Sequence, residues 1–166
     1  MTEPTTLYTL LGGAEGLAAL VGRFYHLMDT NPRYAALRAV HGETLDYAEE
    51  RLFEFLSGWT GGPPLYETRH GHPRLRRRHF PFAVTVKTRN QWIACFAEAL
   101  RSTPLARDAA GAVLLHLFVL ADWMRNQNEP KYAPPQPPVA GSMHDRLPEL
   151  AEVLAEYGMA DVFEAV

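Results

Sequence analysis

The chain has 166 residues, of which 47% are hydrophobic, and its formal net charge is −3 with neutral histidines. This length and composition predict a folded domain with a sizeable core and exclude wholesale disorder. The small negative charge gives no general electrostatic reason to bind nucleic acid or an anionic membrane. The single cysteine, Cys95, excludes an internal disulfide and any site built from several thiolates.

Hydropathy and cysteine content also predict a location. No apolar run approaches the roughly 18 residues needed to span a bilayer. The acidic N-terminal residues do not resemble a secretory signal. A lone cysteine fits a reducing compartment, so the expected location is the cytoplasm.

Apolar residues recur at helical spacing along most of the chain. A double glycine precedes the first such segment, and a second double glycine followed by two prolines ends the third. Residues 61–82 show neither a helical nor a strand period and are predicted to be irregular. Since every strong segment is helical, the predicted class is all-α. The helical segments are 14–28, a short one at 32–40, then 45–59, 90–100 and 109–124.

The C-terminal part of the chain differs in character. Residues 129–141 are rich in proline and predict a semi-rigid, extended linker. A small amphipathic helix closed by Gly158 follows it. We therefore expect a domain over residues 1–128 and an extension over 129–166. The helix is indicated by Leu147, Leu150, Leu154 and Tyr157.

Seven histidines raise the question of metal binding or catalysis. His70 and His72 stand two residues apart, which resembles a weak metal site, but hydrogen-bonded rings in a turn explain the pair more simply. His116 lies mid-face on an apolar helix and is expected to be a hydrogen-bonded core residue. The sequence has no HExxH, GxSxG, P-loop or GxGxxG motif, so the corresponding enzyme classes lose support.

The most informative segment runs from Gly71 to Phe82, where four arginines surround His79. A solvated basic loop and a nucleic-acid patch are two interpretations, although few aromatic residues are interleaved. A third interpretation fits better. One histidine supplies an axial iron ligand, and arginines neutralise two carboxylates by charge-assisted hydrogen bonds. Haem presents that combination of an iron centre and two propionates.

A series of motifs extends this interpretation over roughly residues 7–127. The motifs are Leu11-Gly-Gly-Ala14, Arg23-Phe-Tyr25, Ala48-Glu-Glu-Arg-Leu52, Gly61-Gly-Pro63, Tyr66, Gly71-His-Pro-Arg-Leu-Arg76, Arg78-His79, Pro81-Phe82 and Trp92. In order and spacing they resemble the group II truncated haemoglobins. The resemblance implies a two-over-two helical sandwich over residues 1–128 that encloses haem b. In that sandwich 14–28 pairs with 45–59, 90–100 pairs with 109–124, and His79 binds the iron.

The resemblance also implies a distal pocket. Tyr25 and Trp92 occupy positions that point donors at the haem ligand, and His41 stands where the family often has Tyr or Phe. His41 would add a titratable donor, and either His41 or Tyr25 could bind iron. A myoglobin-like distal histidine is absent, because no histidine lies between Gly42 and Trp59. Arg76, together with Tyr66, is expected to anchor a propionate, with Arg74 or Arg78 as alternatives. The predicted cofactor-binding residues are Tyr25, His41, Ala48, Leu52, Phe55, Tyr66, Arg76, His79, Phe82 and Trp92.

The function implied is reversible binding of oxygen and other small diatomic ligands. Hydrogen-bond donors in a dry pocket slow ligand escape, which suits ligand sensing or redox and detoxification chemistry instead of bulk transport. The alternative is a haem peroxidase-like enzyme that uses His41 or Tyr25 in peroxide turnover, or an enzyme that removes nitric oxide or reactive nitrogen. A third possibility is an interaction module whose tail docks a partner or the globin itself. Expected partners are the small ligands and an unidentified reductase, with no nucleic acid or membrane, in a monomer or homodimer.

Overall fold

A computed structural model describes residues 5–163, and every regular element within that range is helical. Short 3₁₀ turns occur at Pro32–Tyr34, Ala140–Arg146 and Ala160–Val162. The α-helices are α1 (Leu7–Leu10), α2 (Gly13–Thr30), α3 (Ala35–Ala39), α4 (Asp46–Trp59), α5 (Leu65–His70), α6 (Leu75–His79), α7 (Val86–Leu100), α8 (Arg107–Trp123) and α9 (Leu147–Glu156).

Two helix pairs build the body of the molecule. Helix α2 packs on α4, α7 packs on α8, and α2 also crosses α7, so the pairs share one interior. Residues from both pairs, among them Phe24, Ile93 and Phe118, are fully buried there. Burying such side chains stabilises each pair by about 1.5–3 kcal/mol per residue. The predicted all-α, two-over-two arrangement is confirmed.

The double glycines act where the chain changes direction. Gly12 and Gly61 have φ of +99° and +98°, a left-handed conformation that costs glycine little and other residues more. Gly12 precedes α2 and Gly61 follows α4. A Cβ at Gly61 would also come within 3.0 Å of the Thr6 side chain. These glycines therefore fix where the first helix pair begins and ends.

Helix α7 begins at Val86, four residues before the predicted start at Asn90. The Thr85 hydroxyl accepts a hydrogen bond from the Thr88 N–H, and the Thr88 hydroxyl accepts one from the Thr85 N–H. This capping box satisfies backbone donors that the first turn leaves free. The prediction was late because it followed the apolar period, which begins only after the capped first turn.

The segment predicted to be irregular, 61–82, contains the short helices α5 and α6. Helices of five or six residues show too little periodicity to be detected. Glu54 of α4, which is fully buried, holds α5 through Arg69 and His70 and is also bonded to Arg51. Burial would raise the pKa of Glu54, but these hydrogen bonds outweigh it and lower the pKa.

His70 and His72 of that segment each have a hydrogen-bond partner. His70 is bonded to Glu54, and His72 accepts a hydrogen bond from the Arg74 N–H. Among residues 5–163, no group of three or more His, Cys, Asp and Glu side chains could hold a metal ion. The interpretation of His70 and His72 as hydrogen-bonded rings in a turn agrees with these contacts.

The C-terminal extension lies on the second helix pair. Residues 129–139 form no helix, and α9 then packs against α7 and α8. Leu150 and Leu154 of α9 are 0% exposed and belong to the main core. The tail thus docks on the globin itself, while the predicted boundary after residue 128 stays a prediction. None of the helices described here is long and apolar enough to cross a membrane.

Candidate haem site

His79, the predicted iron ligand, is the last residue of α6. Its Nδ1 lies 2.7 Å from the carbonyl oxygen of Leu75, one turn earlier. A carbonyl only accepts, so Nδ1 carries the hydrogen and Nε2 keeps its lone pair. The ring is half-buried, and Nε2 makes no hydrogen bond to the described residues. This is the arrangement in which histidine binds a metal through Nε2.

A cavity of about 550 Å³ lies between α6 and the end of α8, within the size range of small-molecule and cofactor sites. Leu75, on the same face of α6 as His79, lines it together with residues of α8. Several basic residues stand around the apolar lining. Those lining residues are Leu75, Leu120, Trp123 and Met124, with His72, Arg74, Arg76 and Arg77 among the polar ones.

Helix α4 has an apolar wall of its own, where Ala48, Leu52 and Phe55, all predicted cofactor contacts, follow one another at helical spacing. All three are apolar and only partly buried, although they pack against the core. An apolar wall of this kind is what a flat hydrophobic cofactor covers. With a free imidazole nitrogen, an apolar lining and a basic surround, the residues present fit a haem.

Tyr25 and His41 lie together on the distal side, with ring centroids 6.2 Å apart. The Tyr25 hydroxyl donates to the carbonyl of Ala48 at 3.2 Å. Burial, then the charge of Glu49, raises the pKa of Tyr25, so its hydroxyl stays protonated. A donor is therefore present beside the pocket, and in this conformation a backbone carbonyl accepts from it.

His41 has its Nδ1 2.9 Å from the carbonyl of Leu37. By the argument used for His79, a neutral His41 carries its hydrogen on Nδ1, and its Nε2 is an acceptor. Burial lowers the pKa of His41, and the charges of Arg38 and His79 lower it further despite the bond to Leu37. A neutral His41 therefore uses its N–H on Leu37, and its role as a donor to a haem ligand stays a prediction.

Trp92 of α7 is the remaining predicted distal donor. Its ring stacks on Phe96 with centroids 5.4 Å apart and meets the edge of Phe24 at 5.2 Å. The indole is half-buried, and its N–H has no hydrogen-bond partner among residues 5–163. The aromatic contacts fix the ring while the donor remains free, so Trp92 is the available N–H on this side.

The family model for bacterial-like globins matches residues 6–126. The group 2 truncated hemoglobin YjbI of Bacillus subtilis is 33% identical over 117 residues, which cover 70% of this chain and 86% of that protein. The chain belongs to the group II truncated haemoglobins. Such globins bind haem b and, with it, oxygen and other small gaseous ligands, so this truncated haemoglobin is a haem protein.

Two solved structures show the same fold. The group II 2-on-2 hemoglobin of Agrobacterium tumefaciens matches with a TM-score of 0.73 and 39% identity, covering 76% of this chain and 98% of its own. A truncated haemoglobin of Bacillus subtilis, described as oxygen-avid, matches with a TM-score of 0.66 and 31% identity, covering 74% of this chain and 100% of its own. This truncated haemoglobin is therefore longer than both.

Arg76, the predicted propionate anchor, is bonded to the end of α8, and its role toward haem stays a prediction. Its Nη1 donates to the carbonyl of Trp123 and, at 3.3 Å, to that of Arg125, and its guanidinium lies 4.2 Å above the Trp123 ring. Carbonyls at a helix C-terminus lack intrahelical partners and attract cations, which explains this pairing. The guanidinium above the buried Tyr66 ring is that of Arg78, at 5.6 Å.

Three further residues differ from expectation or were not singled out by the sequence. His116 is exposed, with Nδ1 2.8 Å from the Ala112 carbonyl, so its expected place in the core is wrong. Ala112, one turn earlier on α8, is exposed as well. Phe82 is 46% exposed. Asn126, which the sequence did not single out, bonds the carbonyl of His79 at 3.1 Å.

Proposed function

We propose that His79 holds the haem iron of this truncated haemoglobin, which reversibly binds oxygen and other small diatomic ligands in the cytoplasm. The observation that carries the proposal is His79 Nε2, which makes no hydrogen bond to the described residues while Nδ1 lies 2.7 Å from the Leu75 carbonyl oxygen. Burial lowers the pKa of the distal candidate His41, and the charge of His79 is among the smaller causes that lower it. Haem supplies the ligand-binding iron, and the chain supplies its fifth ligand and the pocket.

The distal residues differ in what they offer a ligand. Trp92 has a free N–H, whereas Tyr25 must release the Ala48 carbonyl before its hydroxyl can donate elsewhere. Donors in a site that excludes water hold a partly negative ligand strongly and slow its release. Slow release favours ligand sensing or redox detoxification over bulk transport. The oxygen-avid haemoglobin of Bacillus subtilis, which shares the fold, supports this choice.

The ligand assignment is tested by His79→Ala. We expect the purified wild type to show the Soret band of a haem protein, and the variant to lose stable haem binding or to regain it with added imidazole. His144→Ala, which removes an exposed histidine of the extension, is the matched control and should keep normal haem content. Normal haem content and an unchanged ferrous spectrum in His79→Ala would contradict the proposal.

A second function is favoured by the tautomer of His41. A neutral imidazole with a lone pair on Nε2 can accept a proton from peroxide, which is the role of a general base. Peroxidase-like turnover would exceed that of free haemin and would fall in His41→Phe. Turnover no faster than that of free haemin would leave ligand binding as the function. Either redox role needs an electron donor, and the reductase stays a prediction.

A further inference from the structure

Asn126, just beyond the end of α8, is bonded at several points to the segment that carries His79. Its Nδ2 donates to the carbonyls of His79 at 3.1 Å and Phe82 at 2.7 Å. Its Oδ1 accepts from the Val84 N–H at 2.9 Å, and its own N–H donates to the Val84 carbonyl at 3.1 Å. One side chain and one backbone group thus hold residues 79–84.

Helix α6 depends on such contacts for its position. It has five residues, none of them buried, and its N-cap, Arg74, has φ of +46° and makes no side-chain cap hydrogen bond. A single helical turn is unstable in isolation, because nucleation fixes several residues for one hydrogen bond. Arg76 bonds the carbonyls of Trp123 and Arg125. The end of α8 therefore contacts α6 both before His79 and at His79.

The end of α8 is held in turn by a cluster of buried charges. Asp122 accepts from Arg89 at 2.5 Å, from Arg125 at 3.1 Å and from Arg146 at 3.1 Å. Arg146 belongs to the extension, and Arg125 also donates to the carbonyl of Ala133 in the proline-rich segment. The family model ends at residue 126, so the extension adds a second layer of contacts to the globin fold.

We propose that Asn126 is a positioning residue for His79 and that the C-terminal extension stiffens this support through the Asp122 cluster. The proposal rests on the proposed role of His79 as iron ligand. Its physical content is that the free energy of displacing His79 depends on hydrogen bonds made outside α6. Weakening them should loosen the iron–histidine bond without removing the ligand.

Asn126 is tested with two variants that remove different bonds. Asn126→Ala removes the three side-chain bonds to residues 79–84, whereas Asn126→Asp keeps an acceptor for the Val84 N–H and loses both donated bonds. We expect haem transfer to an apo-globin acceptor to become about fivefold to tenfold faster in Asn126→Ala, as losing one or more net hydrogen bonds implies. The iron–histidine stretching band of the ferrous, ligand-free protein should shift in both variants. Amide exchange at Val84 should accelerate only in Asn126→Ala.

The extension is tested with a matched pair of arginine variants. Arg146→Gln removes the link to Asp122, and Arg101→Gln removes an exposed 2.5 Å ion pair with Asp161 at the other end of the extension. We expect Arg146→Gln to shift the iron–histidine band in the same direction as the Asn126 variants, by a smaller amount. Arg101→Gln should leave it unchanged.

Each result separates the proposals. An unmoved band and an unchanged haem transfer rate in both Asn126 variants would overturn the positioning role. If the iron–histidine band had the same position in Arg146→Gln and Arg101→Gln, the proposed contribution of the extension to the positioning of His79 would be overturned. A band that persists in His79→Ala would overturn the ligand assignment instead. Exchange at Val84 reports the Asn126 contact with or without haem.

Discussion

His79 and His41 each donate Nδ1–H to the carbonyl four residues earlier, His79 to Leu75 and His41 to Leu37. The same bond has different consequences on the two sides. It leaves Nε2 of His79 ready to bind iron, and it deprives a neutral His41 of a donor toward the pocket. Residue spacing predicts which side chains come together but not their tautomers, which depend on these backbone contacts.

Protonation of His41 should be visible in the ferric absorbance spectrum. Burial lowers the pKa of His41, and the charges of Arg38 and His79 add to the effect. The proton therefore binds only below the ordinary value of about 6.5, and the transition should lie on the acid side of it. A titration of wild type beside His41→Phe tests this. Superimposable titrations would mean that His41 does not face the pocket.

Trp92 offers the N–H that no described residue uses, and we expect it to restrain oxygen in the distal pocket. Trp92→Phe keeps most of the ring stacking on Phe96 and removes the donor. Losing about 1–1.5 kcal/mol of hydrogen bonding should speed oxygen dissociation about fivefold to tenfold. Stopped-flow measurement of the rate tests this, with Trp59→Phe as control. A wild-type rate in Trp92→Phe would show that the indole only packs.

At the scale of elements, periodicity predicts the four long helices and fails where other physics sets the structure. The start of α7 depends on the Thr85–Thr88 capping box, and α5 depends on the buried Glu54. Helix α6 depends on Asn126, a residue with no pattern around it to mark it. Local periodicity in the sequence predicts a long amphipathic helix, whereas a short helix is stabilised by residues that are distant along the chain.

The Asp122 carboxylate forms ion pairs with Arg89, Arg125 and Arg146, and these pairs link α8 to α7 and to the extension. Removing its charge should weaken all three ion pairs. Asp122→Asn leaves Arg89 and Arg125 buried without their counter-charge, which should lower the free energy of unfolding by about 3–5 kcal/mol. Urea unfolding measures the difference. Asp161→Asn, which breaks an exposed pair with Arg101, should change little.

The difference in the free energy of unfolding between wild type and Asp122→Asn should depend on pH. Burial would raise the pKa of Asp122, but hydrogen bonds and charges from Arg89 and Arg125 outweigh it and lower the pKa. A lowered pKa in the folded state stabilises at neutral pH and loses that contribution as the pH falls through the folded value. The gap between wild type and Asp122→Asn should therefore narrow in acid. A difference in the free energy of unfolding that does not change with pH would contradict an ionised Asp122 in the folded protein.

For the whole molecule, the extension contributes to the same core as the haem-binding helices. Leu150 and Leu154 are 0% exposed and belong to the same core cluster as residues of both helix pairs. Their spacing predicts an amphipathic helix, and an apolar face needs a covering surface. The sequence does not reveal which surface covers the apolar face of α9, because docking depends on the shape of the α7–α8 pair. In the structure, α9 packs on this pair.

A shared core predicts shared unfolding. Leu154→Ala should lower the free energy of unfolding of the whole protein by about 2–5 kcal/mol, since it opens a cavity in a fully buried site. Far-UV circular dichroism includes α9, whereas the three tryptophans, Trp59, Trp92 and Trp123, all precede the extension. Urea transitions followed by the two signals should coincide in wild type and shift together in Leu154→Ala. Glu152→Ala, on the exposed side of α9, should leave both nearly unchanged. If the midpoint of the tryptophan transition stayed unchanged in Leu154→Ala while that of the circular dichroism transition moved, α9 would unfold independently. The extension would then not contribute to the stability of the haem pocket.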